Sequence, residues 1–167
     1  MRVIGETTLT FEEMATVLCK IESVLNSRPL CPVSADPNDL EALTPGHFLV
    51  GQPLNALPEY PWQDVSSNRL SRFQLLQQLS QNFWRRWSLE YLHILQQRVK
   101  WTDLTDPPRI GDLVLLKDAN ASPLSWRRGR ILALHPGSDG VHRFAEVLTG
   151  GSVLKRAVAT LSRLPLN

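Results

Sequence analysis

Cysteine is nearly absent from this sequence: Cys19 and Cys31 are the only two among 167 residues. Two cysteines cannot build a disulfide framework, and by the habits of free thiols both are expected to be small, buried or half-buried apolar residues. Histidine is sparse as well. His47, His93, His135 and His142 are scattered, and none stands in a Cys/His spacing of zinc type. Long apolar runs are missing, so nothing approaches the roughly 20 residues of a membrane span. The opening MRVIGETTLTFEE has early acidic residues and no apolar stretch, unlike a secretory leader. An intracellular protein of nucleus or cytoplasm, without membrane attachment, is therefore expected. No phosphate-cradling glycine loop of Walker type, no G-x-G-x-x-G and no G-x-S-x-G elbow occurs. No internal repeat or low-complexity tract is present.

What is present begins with 43% hydrophobic residues, enough to bury a core. Net charge is only +2, but it is unevenly spread. Residues 1–70 hold four Lys/Arg against nine Asp/Glu, net −5; residues 71–102 hold five against one, net +4; residues 103–167 hold nine against six, net +3. The later part thus has the sign of a polyanion-facing surface, though an ordinary solvated basic surface fits charge alone equally well.

Local signals give the elements. Thr10 and Glu13 form a capping box. Met14, Val17, Leu18, Ile21, Val24 and Leu25 follow at steps of three and four, which predicts an amphipathic helix. It should stop near Asn26–Ser27, because Pro29 disfavours helical geometry at Arg28. Residues 29–68 read as a long connection punctuated by seven prolines, with one short helix: Thr44 as cap, Pro45 in the first turn, Gly51 as closure. Residues 69–101 lack Pro and Gly and predict a helix of roughly 45–50 Å at 1.5 Å per residue, with a break near Ser80 or Ser88 left open. Phe73, Leu76, Leu79, Phe83, Trp87, Tyr91, Leu95 and Val99 mark its face. After Arg109 the pattern changes to strands at 112–117, 126–134, 141–148 and 152–158, with turns at 136–140 and 149–151 and a final helical turn in ATLSRL. Gly129 is expected to serve a bend or bulge and Asp139 a turn. Short strands at this spacing suit a small closed or half-closed barrel. The fold class expected is α+β: N-terminal helices, a long aromatic helix and a C-terminal β-barrel.

A search for chemistry finds little. Two-metal phosphoryl transfer needs converging carboxylates. Glu12 and Glu22, ten residues apart, lie about 15 Å apart along a helix axis, and Glu13 is engaged by the cap. Asp36, Asp39 and Glu41 make an acidic loop patch with no completing partner. No cofactor, metal or small-molecule substrate is implied. What stands out is aromatic and basic. Trp84, Arg85 and Arg86 interleave on the long helix beside Phe83, Trp87, Tyr91 and Trp101, a set that suits base stacking and phosphate clamping or, alternatively, a core. Arg127, Arg128 and Arg130 flank Trp126, and Arg143, Lys155 and Arg156 lie on neighbouring strands, a plausible phosphate-contacting face.

Several segments in order carry a resemblance: LTFEEMATVLCKIESVLNSRPL, DPNDLEALTPGHFLVGQPL, FWRRWSLEYLHILQQRVKW, GDLVLLKD and WRRGRILALHPGSDGVHRFAEVLT. Together they resemble the C-terminal end of the integrase region of the Pol polyprotein of BEL/Pao (Pao-type) long-terminal-repeat retrotransposons, including the domain of unknown function that follows the integrase core. IESVLNSRPL and LTPGHFLVG are the specific parts; GDLVLLKD opens many barrel domains. The resemblance implies that residues 1–50 are the closing helices of a truncated ribonuclease-H-like catalytic core, 51–102 a connecting arm and long helix, and 103–167 an SH3-like barrel. It implies that the family's two aspartates and glutamate lie upstream of Thr10–Leu30, so the chain is not expected to be an enzyme. The segment KRAVATLSRL departs from the family, which more often has proline near Ala157 and a basic residue near Thr160. The function implied is non-catalytic nucleic-acid binding and positioning in DNA integration by this transposable element. Its partners would be DNA and the remainder of integrase or Pol, or a second copy of the chain. The alternative is a protein–protein interaction or multimerisation module derived from a retroelement.

Overall fold

A computed structural model describes residues 7–55, 58–96, 108–118, 121–138 and 140–165. The chain is α+β, with three α-helices and two antiparallel sheets among these residues. It forms two compact units. One draws on residues 1–28, 44–88 and 119–125, the other on 29–43, 89–118 and 126–167. The units cut across the linear division at 50 and 102, because the first part of the proline-rich connection is laid into the second unit. Arg98, Val99, Lys100, Trp101 and Asp139 lie outside the described residues.

In the first unit, α1 (Phe11–Asn26) starts and stops where its signals place it. The Thr10 hydroxyl accepts from the Glu13 N–H at 3.3 Å, and the Glu13 carboxylate accepts from the Thr10 N–H at 2.9 Å. That satisfies two otherwise orphaned donors. α2 (Pro45–Val50) closes at Gly51, whose φ of +76° lets its N–H reach the His47 carbonyl at 3.0 Å. Ring atom Nδ1 of His47 accepts from the Thr44 N–H at 3.0 Å, the role Glu plays in α1. α3 (Arg72–Leu95) runs unbroken through Ser80 and Ser88; its residues to Ser88 belong to this unit and those from Leu89 to the second. Val17, Leu76 and Leu79 form the core, with Leu9 and Ile21 against it.

The buried face of α3 matches the one that apolar spacing marks only in part: Leu76 and Leu79 are buried as expected, and polar residues join them. Phe73 is exposed, while Gln78 and Gln81 are buried. The reason is the extended connection, whose backbone has no ladder to satisfy it. Gln78 Nε2 donates to the carbonyls of Trp62 (2.7 Å) and Val65 (2.6 Å), and Gln81 takes the Trp62 N–H (3.0 Å) and gives to the Tyr60 carbonyl (2.9 Å). Trp62 Nε1 donates to Gln77 at 3.0 Å. Cys19 is exposed, against expectation, because it lies on the outer side of α1 next to Leu18; Cys31 is buried.

Glu13 also receives Arg72, whose Nε donates to it at 2.7 Å. Arg72 first, then the Thr10 N–H, hold the Glu13 carboxyl down from 4.5 to about 2. A depressed carboxyl stabilises the fold above its unfolded value and loses that contribution as pH falls through its folded value. The stability difference between the native chain and Glu13→Gln is therefore expected to be complete above pH 4.5 and to close as pH falls towards about 2. Thermal unfolding across that range checks it; a difference independent of pH would refute the linkage.

In the second unit, β1 (Cys31–Pro32) pairs with β2 (Ala42–Leu43). β3 (Leu113–Leu116), β4 (Arg128–Pro136), β5 (His142–Leu148), β6 (Val153–Ala157) and β7 (Leu161–Arg163) make an antiparallel sheet of order β6-β5-β4-β3-β7. Its order ends on β6 and β7, so no closed barrel forms among the described residues. All four residues of β3 are buried because both faces of the strand are covered. Val114 and Leu116 enter a core with Ile131, Ala145, Val147 and Leu161; Leu113 and Leu115 enter another with Ala42, Leu92 and Leu164, flanked by Leu40, Tyr91, Leu95 and Trp126. The segment ATLSRL is not a helical end: a 3₁₀ turn at Val158–Thr160 feeds β7, which pairs with β3. The bulge in β4 falls at Leu132, between the pairs Ile131–Val147 and Ala133–Glu146. Gly129 serves close approach instead, since a Cβ there would lie 2.4 Å from Val147 Cγ1 and 2.7 Å from the Leu148 carbonyl oxygen.

Candidate nucleic-acid interface

Strand alternation divides the basic residues of the sheet into separate groups. Arg128 and Arg130 stand opposite Leu115 and Leu113, on the side of the sheet that carries the second core. Only one of the two faces outward. Arg130 is 3% exposed. Its Nε donates to the Asp39 carbonyl at 2.7 Å, Nη1 to the Gly111 carbonyl at 2.8 Å and Nη2 to the Ser34 carbonyl at 2.6 Å. A guanidinium so engaged cannot take a phosphate, so Arg130 leaves the set of contact residues and becomes the pin that holds the loop 33–41 against β4.

The acidic patch of that loop is likewise structural. Asp39 accepts from the Ser34 hydroxyl (2.6 Å) and the Glu41 N–H (2.7 Å), and Asp36 accepts from the Asn38 N–H (2.9 Å). Those bonds, with the charges of Arg130 and Arg128 behind them, keep the Asp39 carboxyl below its ordinary value.

Trp84 is also withdrawn. It is 3% exposed, and its indole N–H donates to the Ala121 carbonyl at 3.0 Å. The residues that spacing assigned to the core, Phe83 and Trp87, are instead half-buried and stacked on each other at 6.4 Å. Arg85 and Arg86 are exposed on α3.

Arg127 and Arg128 come together with Trp126. The three residues, with Leu40 and the β5–β6 turn Thr149–Ser152, line an open cleft of about 390 Å³. Each wall has a local cause. Trp126 is half-buried and meets Tyr91 edge-on at 5.5 Å, which fixes its ring. The turn is closed by the Thr149 N–H and hydroxyl, which both donate to the Ser152 carbonyl, at 2.9 and 2.8 Å. Arg127 is exposed and pairs with Asp118 at 3.2 Å, a solvated contact of small energy that a phosphate can replace. The turn glycines Gly150 and Gly151 are the cleft residues that sequence reasoning passed over as a mere turn; the run TGGS beside WRR was the available signal.

The remaining cations lie elsewhere on the sheet. Lys155 stands opposite Glu146, with its ammonium 5.7 Å from the Phe144 ring centroid. Arg156 stands opposite Ala145, on the other face, which it shares by alternation with Arg143. All three are exposed. Glu146 also meets His135 at 2.9 Å. Among the described residues, no group of three or more His, Cys, Asp or Glu is placed to hold a metal ion, and no helix is long and apolar enough to cross a membrane.

Residues 71–164, which include α3, the cleft arginines and all five strands of the larger sheet, match DUF5641, described as a family of unknown function. No curated protein and no solved structure matches the chain.

Proposed function

The chain belongs to the DUF5641 family, and we propose that it is the non-catalytic C-terminal segment of a retroelement integrase, binding and positioning nucleic acid during DNA integration. The observation that carries this reading is the meeting of Arg127 and Arg128 with Trp126 in one concave site. Cationic forks on a small sheet suit phosphate oxygens, and an aromatic wall suits a base. The resemblance to BEL/Pao Pol supplies the setting, and with it the proposal that the five-stranded sheet is an SH3-like domain. The excess of Lys/Arg after residue 70 supports the same sign of partner.

Phosphate contact releases counterions, so binding should weaken steeply with salt. Fluorescence anisotropy with a labelled duplex carrying a single-stranded overhang is expected to show that dependence. Arg127→Ala/Arg128→Ala should weaken binding by roughly tenfold and flatten the salt slope by about two. Arg130 is left intact, because its loss would act through folding. Binding that ignores salt, or a variant that binds like the native chain, would sink the reading.

A second reading, a protein-interaction module, is favoured by exposed apolar side chains in the first unit: Phe11 at 84%, Phe48 at 74% and Phe73 at 65%. A concentration-dependent dimer that ignores DNA would turn the assignment to it.

A further inference from the structure

The cleft of the second unit says more than that a polyanion is bound, and the inference that follows rests on the nucleic-acid reading just given. We infer that the cleft takes an unpaired nucleotide, and that the chain accordingly prefers single strands and frayed ends to intact duplex.

Three features of the site lead there. First, the site is an open cleft whose volume of about 390 Å³ falls in the range of small-ligand sites, room enough for a nucleotide. Second, its aromatic wall is useful only to an exposed base. In a duplex the base faces are stacked on one another and closed to a side chain; once a nucleotide is unpaired, its π-face is free to lie on an indole. Trp126 is held at a fixed angle by Tyr91 and needs little ordering to receive it. Third, the opposite wall is the turn Thr149–Ser152, where added Cβ atoms on Gly150 and Gly151 would meet nothing within 4 Å. The turn does not need glycine for packing there, and neither residue has a positive φ. What their bareness leaves is open room between the turn backbone and the arginines, where sugar and phosphate can enter. Arg127 and Arg128 line the same cleft as Trp126, so a base on the ring brings its own phosphate near their guanidinium groups.

The turn also provides the test, because filling the cleft there removes no charge and disturbs no core. Gly151→Leu projects a side chain into the open space. The native chain is expected to bind an oligothymidylate of about 12 nucleotides, within the site sizes usual for single-strand binders, at least about fivefold more tightly than a duplex of the same length at one salt concentration. Gly151→Leu should lose about tenfold in single-strand affinity, lose less than that in duplex affinity and unfold at the native temperature.

A second readout does not depend on that variant. Oligothymidylate should quench tryptophan emission in the native chain, and the quenching should be lost in Trp126→Phe. Equal affinity for single strand and duplex, or quenching that survives in Trp126→Phe, would overturn the unpaired-nucleotide inference while leaving salt-dependent nucleic-acid binding in place. Absence of binding to either nucleic acid would overturn both readings.

Discussion

Arg130→Met is expected to lower the unfolding free energy of the sheet-containing unit by about 3 kcal/mol, on the scale of hydrogen bonds made by a buried charged group. The guanidinium sits 3% exposed and serves three backbone carbonyls, those of Ser34, Asp39 and Gly111. Methionine matches the length of the stem but returns none of the three donors, so the carbonyls must find water or go without. Lysine should rescue only in part. A single ammonium on a flexible stem cannot hold the three divergent directions that the planar fork satisfies at once. Chemical denaturation should therefore rank stability as native chain, then Arg130→Lys, then Arg130→Met. A methionine variant within about 0.5 kcal/mol of the native chain, the range of ordinary surface changes, would show that the pin is dispensable. The result bears directly on function. Any binding loss in a variant that includes Arg130 reports on a displaced loop, whereas Arg127 and Arg128 are exposed or half-exposed and can be removed without opening the core.

Gly129→Ala is expected to cost about 2–3 kcal/mol, at the upper end of the usual overpacking range. One methyl group would lie 2.4 Å from Val147 Cγ1 and 2.7 Å from the Leu148 carbonyl oxygen. The valine can rotate only within a core where it is fully buried, and the carbonyl belongs to the ladder between β4 and β5. Neither yields cheaply, since close-packed interiors transmit rather than absorb such a shift. The melting temperature should fall by roughly 10 °C for a unit of this size. A double-mutant cycle separates the two obstacles. Val147→Ala is destabilising alone through its cavity, yet combined with Gly129→Ala it should cost less than the sum, because it removes the nearer clash. Strict additivity would assign the whole effect to the Leu148 carbonyl, and a stable Gly129→Ala chain would remove the steric argument altogether.

Much of this architecture is legible from residues alone, and the legible part is local. Thr10 with Glu13, Thr44 with Pro45 and Gly51, and the short turn-bounded strand signals of β3 to β6 each complete themselves within a few residues, and the structure places α1, α2 and those strands accordingly. What escaped depends on partners far along the chain. Arg130 reaches carbonyls 91 and 96 residues away, which no window reveals, so it read as one more arginine on a basic strand. Gln78 and Gln81 are buried by bonds to a connection 13 to 21 residues upstream, and apolar spacing cannot count glutamines as core. Trp84 reads equally as a stacking residue or as core, because its hydrogen-bond partner, Ala121, belongs to a segment with no pattern of its own. β7 hid behind the helix-favouring letters of ATLSRL; pairing with β3, not propensity, makes it a strand. For the site, the arginines beside Trp126 were visible as a group, but the turn that faces them was not, because a loop wall is assigned by tertiary approach alone.

The partnership of β3 and β7 has a consequence for the order in which the second unit assembles. Leu113–Leu116 is a run of four apolar residues, and one of its two edges is covered by Leu161–Arg163, a three-residue strand from much later in the chain. During synthesis the run is made before its neighbour. Through that interval it is an uncapped apolar edge of the kind that recruits other chains. Capping a sticky strand with a segment from later in the chain means that the unit gains its protection against self-association only as the sheet is completed.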